Sequence, residues 1–191
     1  MDMTKRTPST DRLAPEDWTR VALEAIADNG ISNVSVERLA RELSTTKGSF
    51  YWHFKDRSAL IEAALERWER QYTDDIIERL SGVADPRERF RGLLTSAFHD
   101  HPGVLIDANL LAFASDPTVG PMLERVAKKR LSFVDQIFAQ AGVTGGSDRA
   151  LLAFTAYTGL SQLRRTAPGL TPQGQRSTSY VDHLVGWLMD G

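Results

Sequence analysis

Along most of this chain apolar residues recur at intervals of three and four, the spacing of one helix face. Trp18, Val21, Ala22, Ala25 and Ile26 form the first such stripe. Pro15 stands at its first helical position, with Glu16 and Asp17 where acids suit the helix dipole. Asn29-Gly30 closes it, because glycine takes left-handed backbone without penalty. Ser35 is a good N-cap for a second helix with the face Val36, Leu39, Ala40 and Leu43. Ser44-Thr45 breaks the pattern after two turns. Thr46 can cap a third, very short helix that buries Phe50 and Phe54. Asp56 can cap a long fourth helix through Leu60, Ala64, Leu65, Trp68 and Tyr72, closed by Gly82 to Pro86.

Beyond it, Pro86 opens a helix through Phe90, Leu93, Leu94, Ala97 and Phe98. A turn at Asp100 to Gly103 leads to a short helix over Val104 to Ala114. A long helix then carries Leu123, Val126, Ala127, Val134, Ile137, Phe138 and Ala141 on one face. Ser147 or Asp148 can cap the next helix, which lasts to about Arg165, and a final helix ends near Met189. No segment alternates with period two for long enough to make a strand. The pattern predicts an all-α chain of about nine helices: a three-helix N-terminal unit followed by a larger helical region.

Composition narrows the classes. The 191 residues suit one ordinary domain or two small ones. With 41% hydrophobic and 25% charged residues, the chain can bury a sizeable core. There is no Cys, which excludes a disulfide scaffold, thiol catalysis and cysteine-based zinc sites, and fits a reducing compartment. No apolar run reaches the ~18 residues of a membrane span, and the polar start carries no signal peptide. A cytoplasmic protein with no membrane partner is expected. Residues 1–12, with Lys5, Arg6 and Arg12, read as a flexible basic arm.

The short helices carry the most specific chemistry. Two helices of about two turns joined by a tight turn are unstable alone and must pack on the first helix. That is the plan of a helix-turn-helix unit, whose second short helix enters the DNA major groove. Between Leu43 and Lys55 there is no acid. Lys47, His53 and Lys55 can meet phosphate, Thr46, Ser49 and Tyr51 can donate hydrogen bonds, and Gly48 lets backbone approach closely. The helix start adds N–H groups and partial positive charge. Residues 1–60 hold nine Lys/Arg and nine Asp/Glu, so the signal is a local acid-free surface rather than a basic domain.

The stretch from Gly30 to Leu60, GISNVSVERLARELSTTKGSFYWHFKDRSAL, closely resembles the DNA-binding domain of the tetracycline-repressor (TetR) family. The likeness covers about residues 13–70 and centres on Thr46 to Lys55, with Arg57 and Leu60. It implies a homodimeric regulator, most simply a repressor, that binds a palindromic double-stranded operator and is released by a small-molecule effector. Carried over by position, the resemblance gives Thr46 the cap and a phosphate contact, Lys47 and Ser49 bases or phosphates, and Tyr51 and His53 phosphates. Arg57 falls where the family usually has a phosphate-binding Lys. Ser35, Gly48, Trp52 and Lys55 complete the expected DNA-facing set. Phe50 and Phe54 match core positions. The turn departs from the family's usual Gly-Val: Ser44 occupies a position that favours positive φ, and Thr45 gives up apolar packing.

The resulting organisation is an arm at 1–12, a DNA-binding domain at 13–58 and a ligand-binding and dimerisation domain at 59–191. Pocket candidates are Trp68, Tyr72, Phe90, Leu94, Phe98, Leu110, Phe113, Met122, Phe133, Ile137 and Tyr157, which suit a mostly apolar small molecule. Eight of the eleven residues from Ala150 to Leu160 are apolar, as for a helix buried all round. A two-fold interface is expected from the last two helices, through Phe154, Tyr157, Tyr180, His183, Leu184 and Trp187. Lys128-Lys129-Arg130 reads as a solvated face.

His99 and His101 flank Asp100 at a turn and point different ways, so no metal site is expected; nor does the chain hold a P-loop, HExxH or nucleophile-elbow motif. No catalysis and no cofactor are expected. The rival readings are a small-molecule carrier or enzyme with a vestigial helix-turn-helix, and a regulator without ligand control.

Overall fold

The computed structural model describes residues 13–98 and 102–190. The basic arm, His99 and His101 lie outside the described residues. Among those described there are nine helices and no strand. They are α1 (Pro15–Asn29), α2 (Val36–Glu42), α3 (Lys47–Tyr51), α4, α5 (Pro86–Phe98), α6 (Pro102–Leu111), α7 (Val119–Gln140), α8 (Gly146–Thr166) and α9 (Gln175–Met189). Helix α4 runs from Arg57–Glu69 through a π-helical turn, Arg70–Asp74, into Asp75–Ser81 without a break. The expected fourth helix therefore reaches its expected end, with one irregularity inside it.

Local chemistry sets the boundaries. The Ala14 N–H donates to the Asp17 carboxylate at 2.9 Å ahead of Pro15. Gly30 ends α1 at φ 76°, and its N–H reaches the Ile26 carbonyl at 2.8 Å. A Cβ there would also come within 2.7 Å of the Phe113 ring, so both backbone and space favour glycine. Ser35, Thr46 and Asp56 each accept from the backbone N–H three residues on, as their cap roles require. Ser44 holds φ 52°, the left-handed conformation that the tight turn demands. Two boundaries differ from expectation. Helix α6 starts at Pro102 and stops at Leu111, because a proline is well suited to the first helical position. Helix α8 starts at Gly146 behind a left-handed Gly145, and neither Ser147 nor Asp148 caps it.

The apolar side chains form two clusters. One joins Trp18, Ile26, Leu39, Phe50, Leu60 and Trp68 of α1–α4 to Ile106 and Leu110 of α6 and Val119, Met122 and Val126 of α7. The other joins Leu80, Phe90, Phe98, Phe133, Phe138, Leu160 and Val185 from α4, α5, α7, α8 and α9. The helix-turn-helix unit thus shares its core with α6 and the start of α7. Helix α1 lies against both α4 and α6.

Candidate nucleic-acid interface and ligand cavity

Helix α3 divides its side chains sharply. Phe50 is fully buried, edge-on to Trp18 at 5.4 Å and stacked on Phe54 at 5.6 Å. Tyr51 is 62% exposed and Trp52 77%. Thr46, Lys47, Gly48 and Lys55 are exposed beside them, and Ser49 and His53 are half-buried. A Cβ on Gly48 would meet only the Thr46 hydroxyl, at 3.4 Å, so packing within the chain leaves that position open.

Two expected contacts have other engagements. Arg57 Nε donates to the Val34 carbonyl at 2.6 Å, and a second guanidinium nitrogen to that of Ile31. The side chain that was expected on phosphate is a brace between the start of α4 and the turn before α2. Lys47 forms an ion pair with Glu37 on α2, both side chains more than half exposed. Hydrogen bonding from Lys47 holds the Glu37 carboxyl at about 2, well below the usual glutamate value. Ser35 donates to Glu37 at 3.0 Å while accepting the Arg38 N–H.

The pocket candidates separate. Tyr72, Phe90, Leu94, Phe133 and Tyr157 line an apolar cavity of about 70 Å³ between α4, α5, α7 and α8. Ile76, Ile77, Leu93, Ala97, Val134, Ala153 and Phe154 complete its walls. Trp68 and Tyr157 belong to a neighbouring space of about 280 Å³ with Asp107, Arg130 and Ser161. Phe98, Leu110, Met122 and Ile137 are packed core and line neither space. Phe113 packs at the Gly30 turn.

A polar cluster that pattern reading missed stands where the two spaces meet. Asp107 accepts from Trp68 Nε1 at 2.8 Å, from Arg130 Nη1 at 2.6 Å and from the Tyr157 hydroxyl. Arg130 also donates to the Thr73 hydroxyl at 3.0 Å and the Tyr72 carbonyl at 3.3 Å. Its guanidinium lies over the Trp68 and Tyr157 rings, at 5.5 and 5.6 Å from their centroids. Burial opposes the charge on Arg130, but Asp107 and Tyr157 together outweigh it and raise the guanidinium above the usual arginine value. Burial, then the Asp107 charge, pushes the Tyr157 phenol up, so it stays a hydrogen-bond donor at neutral pH.

Lys129 also leaves the solvated role, bridging Glu69 and Asp74 at 2.7 Å each, while Arg125 grips the buried Glu69. These pairs flank the π turn of α4, a distortion found often at functional sites. Asn109, two residues past Asp107, donates to the Ile26 and Ala27 carbonyls at 3.0 and 2.8 Å. Arg67 on α4 reaches the Glu16 carbonyl at 3.1 Å. The cluster is thereby tied to both ends of α1.

The expected interface set divides as well. Tyr157 is held by Asp107, Leu184 is buried with Val181 and Val185, and Tyr180 packs edge-on to Phe98 at 5.5 Å, so all three have partners within the chain. Phe154 is half-buried against the cavity. Outward on α8 and α9 lie Leu151, Leu152 and Leu163, and Trp187, which is 69% exposed and stacked on the exposed His183 at 5.7 Å. Among the described residues no cluster of three His, Cys, Asp or Glu could hold a metal, and no helix is long and apolar enough to cross a membrane.

Residues 19–64 match the family model of bacterial regulatory proteins, tetR family. The chain is 33% identical over 179 residues to the HTH-type transcriptional regulator SrpR of Pseudomonas putida, covering 86% of this chain and 76% of that protein. It is 28% identical over 156 residues to the HTH-type transcriptional repressor KstR2 of Mycolicibacterium smegmatis, covering 77% and 73%. The fold is similar to that of the transcriptional regulator FadR from Bacillus subtilis, solved in complex with stearoyl-CoA, at a TM-score of 0.74 and 16% identity, covering 93% of this chain and 99% of the other.

Proposed function

The chain belongs to the tetracycline-repressor family of bacterial regulatory proteins, and from that premise we propose that it is a homodimeric repressor whose palindromic operator is released when a small molecule enters the cavity beside Arg130. The carrying observation is α3: an acid-free helix that buries Phe50 and turns Lys47, Tyr51 and Trp52 to solvent. In this reading residues 13–58 hold the DNA contacts, 59–191 hold ligand and partner, and the protein works in the cytoplasm without catalysing a reaction.

Thr46, Lys47, Ser49, Tyr51 and His53 meet phosphates and base edges, with Ser35, Gly48, Trp52 and Lys55 around them. Arg57 acts one step back, by fixing the turn that aims α3. Repressor action has support from KstR2, which is named a repressor. Ligand control has support from FadR, which holds stearoyl-CoA in the same fold.

Pairing through α8 and α9 has support from the exposed Leu151, Leu152, Leu163 and Trp187, which a second copy would cover. Two α3 helices must then lie ~34–36 Å apart, or a multiple, to read successive major grooves. A ligand that shifts Arg130 acts on α1 through Asp107 and Asn109 of α6 and through α4. It lowers operator affinity by its differential affinity for the two spacings.

Selection of bound sequences from random duplexes tests the DNA reading. A palindromic consensus is expected, and Lys47→Ala should lower the salt slope of its binding by about one. Failure to retain any duplex would overturn it. Sedimentation at micromolar concentration tests pairing: a lone 21.2 kDa species would remove the dimer.

A further inference from the structure

We propose that the cavity is selective for an uncharged ligand, a ring-sized apolar body with one hydrogen-bonding group. This rests on the cavity being the effector site. A volume of about 70 Å³ holds roughly five water-sized spheres, which is the size of one substituted ring. Among the described residues Arg130 is the one charged residue in its lining, and its charge is already matched. Its Nε, Nη1 and Nη2 have acceptors in Thr73, Asp107 and the Tyr72 carbonyl. Asp107 is engaged on both oxygens, with Trp68 on one and Arg130 and Tyr157 on the other.

An anion that bonds Arg130 must either take it from Asp107, leaving that carboxylate buried without its cation, or place a net charge beside a pair that is already neutral. A cation must take Asp107 from Arg130 and strand the guanidinium. Either exchange leaves an unpaired buried charge, a heavy penalty in an apolar enclosure. An uncharged ligand avoids the exchange. Thr73 accepts from Arg130 and keeps its O–H to donate to a ligand hydroxyl or carbonyl, while Tyr157 donates to Asp107 and keeps a lone pair to accept from a ligand hydroxyl, so each can add a bond without leaving the cluster. The aromatic and branched walls, Phe90, Phe133, Leu94 and Ile76 among them, cover the rest of the ring.

Three probes that share one ring separate the cases: 4-ethylphenol, 4-ethylbenzoate and 4-ethylbenzylammonium, titrated by calorimetry at neutral pH. On the unmodified chain the phenol should bind at least about tenfold more tightly than either ion. Asp107→Asn removes the anion's competitor, and the benzoate should then gain on the phenol by about tenfold. Arg130→Met should do the same for the ammonium. Benzoate or ammonium binding as tightly as phenol to the unmodified chain would overturn the charge rule, whatever the variants do. So would an Asp107→Asn chain that folds with an unchanged phenol-to-benzoate ratio. Leu94→Trp, which fills the cavity, should abolish phenol binding. If the phenol still binds that variant, or if none of the three binds the unmodified chain, the effector-site reading itself fails and takes the charge rule with it.

Discussion

Two ion pairs of the same chemistry stand in opposite surroundings. Glu37 and Lys47 join α2 to α3 on the proposed DNA face, and water reaches more than half of each side chain. Asp107 and Arg130 join α6 to α7 inside the molecule, where their side chains are 9% and 17% exposed and each guanidinium nitrogen has an acceptor. Water screens the first pair, so breaking it costs little, and Lys47 can exchange a carboxylate for a phosphate. The second pair is costly to break, because either charge alone would be buried without a partner. Exposure, rather than distance, decides that one pair can take part in binding while the other fixes helices and filters charge.

The largest effect that can break this comparison is Asp107→Ala, expected to cost about 3–5 kcal/mol in denaturant unfolding because it strands Arg130. Asp107→Ala with Arg130→Met removes both charges and should recover much of that loss. If the double variant is no more stable than the single, the penalty is lost packing and the charge argument fails. Next comes Glu69, a buried carboxylate whose pKa is lowered below 4.5, first by the Arg125 hydrogen bond against the pull of burial. A lowered folded value means that its stabilisation is present above the usual glutamate value and fades as pH falls through the folded one. Wild type should thus lose stability on acidification more steeply than Glu69→Gln, and parallel acid-unfolding profiles would refute this. The effect should be smaller than at Asp107, since Arg125 is 53% exposed.

These regions differed equally in how far they could be read beforehand. The caps at Ser35, Thr46 and Asp56 were legible because each is a bond across three residues. The positive φ of Ser44 was legible only through the resemblance, because the family usually has glycine at that position of the turn. The bracing role of Arg57 was not legible because its acceptors lie 23 and 26 residues away, and nothing near it in sequence announces them. Asp107 did leave a trace, since a carboxylate amid Val104, Leu105, Ile106, Leu110 and Leu111 has to find a buried partner. Arg130 left one as well: it falls four residues after Val126 and four before Val134, on the apolar stripe of α7. The adjacent Lys128 and Lys129 masked it. The π turn has no signature in composition, and of the residues expected at an interface only His183 and Trp187 are exposed.

Ser44→Gly sharpens the comparison on the exposed side. A non-glycine residue at φ 52° carries a left-handed penalty, partly offset by the extra freedom that glycine loses on folding. A gain of up to about 1 kcal/mol in unfolding is expected. A loss would mean that the Ser44 side chain contributes something the turn geometry does not show.

The smallest change in stability, and the most telling for function, belongs to Glu37→Gln. Its side chain is more than half exposed and its partner is screened, so the unfolding midpoint should stay where it is. On DNA the same carboxylate is a negative charge beside α3 that must give up Lys47 before Lys47 can meet a phosphate. Its removal should therefore tighten binding to every duplex, random sequence included, and narrow the ratio between operator and random DNA. The salt slope with Glu37→Gln should be at least as steep as with wild type, and Glu37→Gln combined with Lys47→Ala should lose the gain. If random DNA binds the single variant no better than wild type, Lys47 is not the group that meets the phosphate. The exposed pair would then be a surface contact alone, and its contrast with the buried pair would be one of stability only.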